Sequence, residues 1–212
     1  MPDSFAVAMF GALIAVMNPF VNLPIFLSLT EELAPSAQRK TALQVVVYTS
    51  IACAIVAVAG AAILDFFGIS VDAFRVAGGL VLLQIGFHML NGNNSSAHHG
   101  TEHEQAAVAK APVESIAFYP MTFPMLVGPG TMTTLILYAH QANGATGWAI
   151  YAACVALVVG LLAVVFLFAG NIGKHLSATA RTIMTRLMGL ILIAIAIEMV
   201  ANGAKVLLPG FA

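Results

Sequence analysis

The sequence predicts an all-α membrane protein of six transmembrane helices, arranged as two inverted three-helix repeats in which helices 1 and 4 are broken. Three observations lead there. The first is composition: of 212 residues, 60% are hydrophobic and 8% charged, against about 25% charged in a soluble domain. Most of the chain must therefore face lipid or other apolar helices. The second is a pair of helix-breaking clusters inside long apolar runs. These are Asn18-Pro19-Phe20-Val21-Asn22-Leu23-Pro24 and Phe123-Pro124-Met125-Leu126-Val127-Gly128-Pro129-Gly130, each with two prolines five residues apart. The third is an internal repeat. Arg75 lies three residues before Gly78 and sixteen before Asn91-Gly92, and Arg186 lies at the same distances from Gly189 and Asn202-Gly203.

A spanning helix needs roughly 20 apolar residues. Six stretches qualify, at 4–30, 41–65, 72–91, 115–140, 147–170 and 181–208. Residues 31–40 are polar, and 92–113 form the longest polar connection, rich in Asn, Ser, His and Glu. The chain thus divides into a first repeat at 1–92, a flexible cytoplasmic loop at 93–113 and a second repeat at 114–212. Three spans per repeat is an odd number, so the copies have opposite orientations in the membrane. No Lys or Arg precedes the first apolar stretch, so it lacks the basic region of a cleaved signal peptide and reads as a mature helix.

Orientation follows from the basic residues. The first, third and fifth connections hold Arg39, Lys40, Lys110, Lys174 and Arg181, with Arg186 at the start of helix 6. The other side holds only Arg75 and Lys205. The positive-inside rule places the first group in the cytoplasm and both termini outside it, in a cell inner membrane. A net charge of -1 gives no reason to expect a nucleic-acid partner. Cys53 and Cys154 sit in apolar runs and read as packing residues.

Proline removes a backbone donor and clashes with the preceding turn, so each cluster should divide its helix. Opened backbone at bilayer depth is tolerated only where it is buried in protein or lines a wet cavity. Each break should expose carbonyls where one half ends, near Val16, Met17 and Phe123. It should expose amide N–H groups where the next half begins, near Pro24 to Phe26 and Gly130 to Thr133. The half-helix ends carry partial charges of both signs, so one carboxylate and one ammonium are accommodated without a charged side chain. No break residue is charged, which suits a substrate of zero net charge. The candidate substrate-binding set is Asn18, Pro19, Asn22, Pro24, Thr122, Pro124, Gly128, Pro129, Gly130, Thr131 and Thr133, with Thr134 as a further hydrogen-bonding group. Gly128 and Gly130 leave room for close approach to backbone. The alternative is that both clusters are packing kinks.

Glu198 is an acid within an apolar helix, and such acids mark proton or cation pathways. Coupling, by proton or sodium, or gating is one reading; a place at the outer interface is the other, because Lys205 follows only seven residues on. Arg75 and Arg186 hold equivalent positions at opposite membrane faces. Gating is one reading, and interfacial anchoring by long cations near helix ends is the other. His98, His99, Glu102, His103 and Glu104 form a polar tract on the loop, without a framework that specifies a metal site. No metal and no cofactor is expected. Ala152, Ala156 and Gly160 recur every four residues on helix 5, a spacing that lets helices pack closely within the protomer or in a homo-oligomer. The sequence contains no nucleophile elbow, zinc-helix motif or phosphate loop, which argues against an enzyme.

Residues 18–29, Asn-Pro-Phe-Val-Asn-Leu-Pro-Ile-Phe-Leu-Ser-Leu, resemble the first signature of the MarC family of six-helix inner-membrane proteins. Residues 121–132, Met-Thr-Phe-Pro-Met-Leu-Val-Gly-Pro-Gly-Thr-Met, resemble the second. Phe74-Arg75-Val76-Ala77-Gly78-Gly79 and Thr185-Arg186-Leu187-Met188-Gly189 are similar to the family's third- and sixth-helix starts. The resemblance covers nearly the whole chain outside the 92–113 loop. Many members carry Asp where this chain has Asn18 and Gly where it has Val21, so position 18 here offers no carboxylate to a coupling ion. The family is grouped with LysE-like amino-acid exporters, and some members are described as transporters of small neutral amino acids such as glycine and alanine. The resemblance therefore implies a secondary transporter of a small zwitterion, working by alternating access. The alternatives are a passive channel and an exporter of drugs or other small apolar solutes.

Overall fold

The computed structural model describes residues 2–30, 33–91, 116–175 and 177–208. The described residues form helices and connections, with no strand among them. In chain order the elements are α1 (Pro2–Met17), α2 (Pro19–Leu29), α3 (Pro35–Phe66), α4 (Val71–Leu90), α5 (Ala117–Leu126), α6 (Pro129–Gln141), α7 (Gly144–Leu167), α8 (Ala169–His175) and α9 (Ala178–Leu207). The whole of the predicted 93–113 loop, with its His/Glu tract, lies outside the described residues.

Among the described residues, five stretches are long and apolar enough to cross a membrane: Phe5–Leu29, Pro35–Phe66, Val71–Leu90, Gly144–Leu167 and Thr182–Leu207. The predicted fourth span is divided into α5, of 10 residues, and α6, of 13. At 1.5 Å per residue a helix of that length reaches roughly 20 Å, short of the ~30 Å hydrocarbon core, so neither half crosses alone. Two differences from the sequence reading concern helix limits. The second span starts earlier than predicted, at Pro35, because proline is well placed in the first turn of a helix. The short α8, of 7 residues, falls within residues read as the end of the fifth span and the connection after it.

The two divided spans form the centre of the bundle. In Phe5–Leu29, 56% of the most apolar window is buried, against 17% in Pro35–Phe66. The main core gathers Met9, Leu13 and Met17 of α1, Leu23 and Phe26 of α2, Leu126 and Leu135 of the fourth span, and Val158, Leu162 and Phe166 of α7. Phe26 stacks on Phe166 with ring centroids 4.7 Å apart. Around this core α3 packs on α5, α6 and α7, and α7 packs on α1 and α2. In the same way α4 packs on α6, and α9 packs on α1 and α2.

The closest helix pair is α4 with α9, and its seam is made of small residues. A Cβ on Gly86 would lie 2.9 Å from the Gly189 carbonyl oxygen, and one on Gly189 would lie 2.9 Å from the Gly86 carbonyl oxygen. Further along, a Cβ on Gly79 would meet the Ala196 carbonyl at 2.9 Å, and one on Gly203 would meet the Asp72 carbonyl at 2.8 Å. As the contacts descend α4 from Gly86 to Asp72 they climb α9 from Gly189 to Gly203, so the two helices are antiparallel. Small residues at such an interface let backbones approach closely.

Helix α7 uses its small residues differently. Its buried face is Tyr151, Cys154, Val158, Leu162 and Val165. Ala152, Ala156 and Gly160 are exposed, and a Cβ added to Gly160 would meet nothing within 4 Å. The every-fourth-residue stripe therefore does not make the close packing of α7 inside this chain. Cys53 and Cys154 are buried free thiols, as packing residues would be.

Candidate functional site

Both interruptions follow from lost backbone donors. In the first span Pro19 carries no N–H, and the chain leaves helical geometry at Asn18, with φ 28° and ψ 80°. Positive φ is rare outside glycine, and Asn is among the residues most enriched there. The second half begins at once, at Pro19, and runs through Pro24. This corrects the prediction from proline spacing: the half-helix start lies at Phe20 to Asn22, one turn earlier than Pro24 to Phe26, and the Val21 and Asn22 N–H groups there already donate to the Asn18 carbonyl at 3.2 Å each. Pro24 lies in the second turn of this half and, having no N–H, leaves the Phe20 carbonyl without its usual helical donor.

The Asn side chains repair much of this break. The Asn18 side-chain oxygen accepts from the Val21 N–H at 3.3 Å, and Asn22 Nδ2 donates to the Met17 carbonyl at 2.8 Å and to the Asn18 carbonyl at 3.3 Å. The Met17 carbonyl, expected to be open, is thus capped. Asn18 and Asn22 are 3% and 0% exposed. Among the described residues, Asn18 Nδ2 and Asn22 Oδ1 are buried without a hydrogen-bond partner. One donor and one acceptor therefore remain unpaired at the first break, and unpaired buried polar groups are costly enough to call for an explanation.

The second break is longer. Tyr119 (φ -121°, ψ 123°) and Phe123 (φ -124°, ψ 129°) are extended within α5. Pro120 and Pro124 supply no N–H, so hydrogen bonds reach one residue further than in an α-helix. Met121 N–H donates to the Ile116 carbonyl at 3.3 Å and Val127 N–H to the Thr122 carbonyl at 2.8 Å. Threonine hydroxyls take up other freed carbonyls: Thr122 Oγ1 donates to Ala117 O at 2.8 Å and Thr131 Oγ1 to Leu126 O at 2.7 Å. Thr133 and Thr134 bond back to the Pro129 and Gly130 carbonyls at 2.9 Å each.

Gly128 and Pro129 begin α6, so the first free amides of that half-helix are at Gly130 and Thr131, within the predicted range. The backbone is crowded here by the chain itself. A Cβ on Gly128 would lie 2.2 Å from the Pro124 carbonyl oxygen, and one on Gly130 would lie 2.6 Å from Leu82 and 3.2 Å from Val16. The Val16 contact brings the two interruptions to the same region of the core. Asn18, Pro19, Asn22, Thr122, Gly128, Gly130, Thr131 and Thr133 are buried; Pro24 and Pro124 are half-buried; Pro129 is exposed.

A separate cleft of about 630 Å³ opens at the end of the bundle where α1 starts and α9 ends. Arg75 and Glu198 both line it, with Tyr138, Gln141, Asn202 and Thr134. Arg75 Nη1 donates to Asp72 Oδ1 at 2.6 Å, one turn back on α4. Phe5 and Tyr138 form an edge-on pair at 5.6 Å on one wall. Arg186 is exposed on α9 and lies outside this cleft. Sequence reasoning passed over Tyr138, Gln141 and Asp72. The Asp72/Arg75 pairing was available from its i,i+3 spacing on a helix; the other two had no local signal.

Long apolar helices around two buried, uncharged interruptions define a multi-pass integral membrane protein with discontinuous central spans. The chain is similar over nearly all its length to YvbG, a UPF0056 membrane protein of Bacillus subtilis, at 33% identity over 209 residues and 97% of each chain. It is 33% identical over 196 residues to a UPF0056 membrane protein of Methanocaldococcus jannaschii, covering 92% of this chain and 94% of that one. It is 31% identical over 204 residues to the UPF0056 membrane protein YhcE of Escherichia coli, covering 95% of this chain and 92% of that one. The MarC family integral membrane protein profile matches residues 4–208, and the chain belongs to that family. No solved structure matches it.

Proposed function

We propose that this protein is a secondary transporter that carries small neutral amino acids, zwitterions such as glycine and alanine, across the inner membrane by alternating access. The observation that carries this reading is the first break. Asn18 Nδ2 and Asn22 Oδ1 are a donor and an acceptor, buried and unpaired, beside backbone interrupted at the centre of an apolar bundle. They match the two ends of a zwitterion, a carboxylate that accepts and an ammonium that donates. The free amides at the start of α6 add a second position for the carboxylate.

The packing supports an inverted repeat of two three-helix units, counting α1–α2 and α5–α6 as one broken span each. Helix α3 packs on the fourth span as α7 packs on the first, and α4 packs on α6 as α9 packs on the first span. Exchanging the two halves leaves this pattern unchanged, and the antiparallel α4–α9 seam is the relation the third helices of inverted units must have. Discontinuous helices in corresponding positions of two inverted repeats are where secondary transporters place their sites. Both termini lie outside the cytoplasm in this reading.

An exporter of larger apolar solutes is less well served. Phe26 is occupied by its stack on Phe166, and Phe123 is 42% exposed, so the break aromatics do not line one cavity. The test is counterflow of radiolabelled glycine into proteoliposomes preloaded with unlabelled glycine. A carrier gives saturable, transient accumulation. Flux that rises linearly with concentration without counterflow indicates a channel, and no glycine flux at all removes the amino-acid reading.

A further inference from the structure

We propose that the cleft lined by Arg75 and Glu198 is an outer capture site for the zwitterion, in which Arg75 takes the carboxylate and Glu198 the ammonium; this rests on the carrier reading above. The cleft joins four elements: α1 through Phe5, α4 through Arg75, α6 through Thr134 and Tyr138, and α9 through Glu198 and Asn202. It therefore holds one cation and one anion from two helices that pack antiparallel. The α4–α9 register sets them about one helical turn apart along the pair, since Gly203 faces Asp72 and Val76 while Gly79 faces Ala196 and Val200.

Arg75 is aimed by Asp72, which engages Nη1 at 2.6 Å. A guanidinium has five N–H donors, so this bond fixes its orientation and leaves others for a carboxylate. Glu198 is exposed and accepts only, as an ammonium requires. The floor of the cleft leads to the breaks. Thr134 is 2% exposed, lines the cleft and bonds to the Gly130 carbonyl at 2.9 Å, one turn from the start of α6. A pair of opposite charges at the mouth attracts a zwitterion and gives a simple anion or cation one repulsive partner.

The experiment is glycine counterflow by the full chain in vesicles of phosphatidylglycerol, whose headgroup carries no ammonium and so cannot itself supply the zwitterion. Arg75→Gln and Glu198→Gln should each raise the half-saturating glycine concentration about tenfold, the loss of one charge-assisted hydrogen bond, with maximal rate little changed. Arg75→Lys and Glu198→Asp should restore most of the affinity. The inhibition pattern should also split. Acetate should inhibit Glu198→Gln, which keeps only the cation, and methylamine should inhibit Arg75→Gln, which keeps only the anion. Neither ion should inhibit the parent. Unchanged half-saturation and inhibition in both folded variants would overturn the capture site while leaving the carrier intact. So would a Glu198→Gln variant that keeps its half-saturation but loses dependence on a proton gradient, since Glu198 would then serve coupling. If the parent shows no glycine counterflow, the carrier reading fails. Glycine-induced thermal stabilisation of the purified parent, lost in Arg75→Gln, would then keep the cleft as a binding site, and its absence would remove that too.

Discussion

Asn22 shows how one side chain can hold a break together. Its Nδ2 caps the Met17 carbonyl at 2.8 Å, at a point with 0% exposure. Asn22→Ala leaves that carbonyl without a partner away from water, which should cost about 1–3 kcal/mol. Thr131→Val removes the 2.7 Å bond to the Leu126 carbonyl at nearly constant volume and should cost about 1 kcal/mol. Thermal unfolding of the purified protein in detergent reads both; an Asn22→Ala variant as stable as the parent would mean that the break satisfies its carbonyls another way. At this scale the sequence was partly informative. Pro19, Pro124 and Pro129 announced the interruptions, because a missing N–H is written in the residue itself. The capping of Met17 was not legible, since it depends on which way an amide five residues along the chain turns.

Among the elements, the α4–α9 seam gives a sign test with a single substitution. Gly189→Ala places a Cβ 2.9 Å from the Gly86 carbonyl oxygen and the Leu90 amide nitrogen, backbone atoms that cannot swing aside. It should destabilise the protein by about 1–3 kcal/mol through overpacking. Gly160→Ala puts the same methyl where nothing lies within 4 Å and should stabilise α7 by roughly 0.5–1 kcal/mol, the helix preference of Ala over Gly. Equal effects in the two variants, measured as shifts in unfolding midpoint, would contradict the packing described. The Arg-x-x-Gly spacing repeated in α4 and α9 marked these helices as equivalent. Which small residues face inward needed the structure, because Gly160 and Gly189 look alike in sequence and differ only in what stands opposite.

For the whole molecule, the proposed orientation puts residues 92–113 in the cytoplasm. Cysteines introduced there should resist a membrane-impermeant thiol reagent in intact cells and react after permeabilisation. Rapid labelling of intact cells would invert the assignment, and the Arg75–Glu198 cleft would then open inward. Apolar length and basic-residue bias were readable from composition, because lipid imposes them everywhere along the chain. The meeting of Arg75, Tyr138 and Glu198 in one cleft was not, since it arises from three helices distant in sequence. The central claim is that an uncharged zwitterion-binding position lies at the breaks. Its most direct test is thermal stabilisation of purified protein by glycine, because a ligand that binds the folded state must raise stability. The parent should gain stability as glycine is added, and Asn22→Ala, folded and compared with its own ligand-free baseline, should gain less at concentrations that saturate the parent, keeping only what the Arg75–Glu198 cleft contributes. An Asn22→Ala protein stabilised as fully as the parent would contradict the account and leave the two clusters as packing kinks.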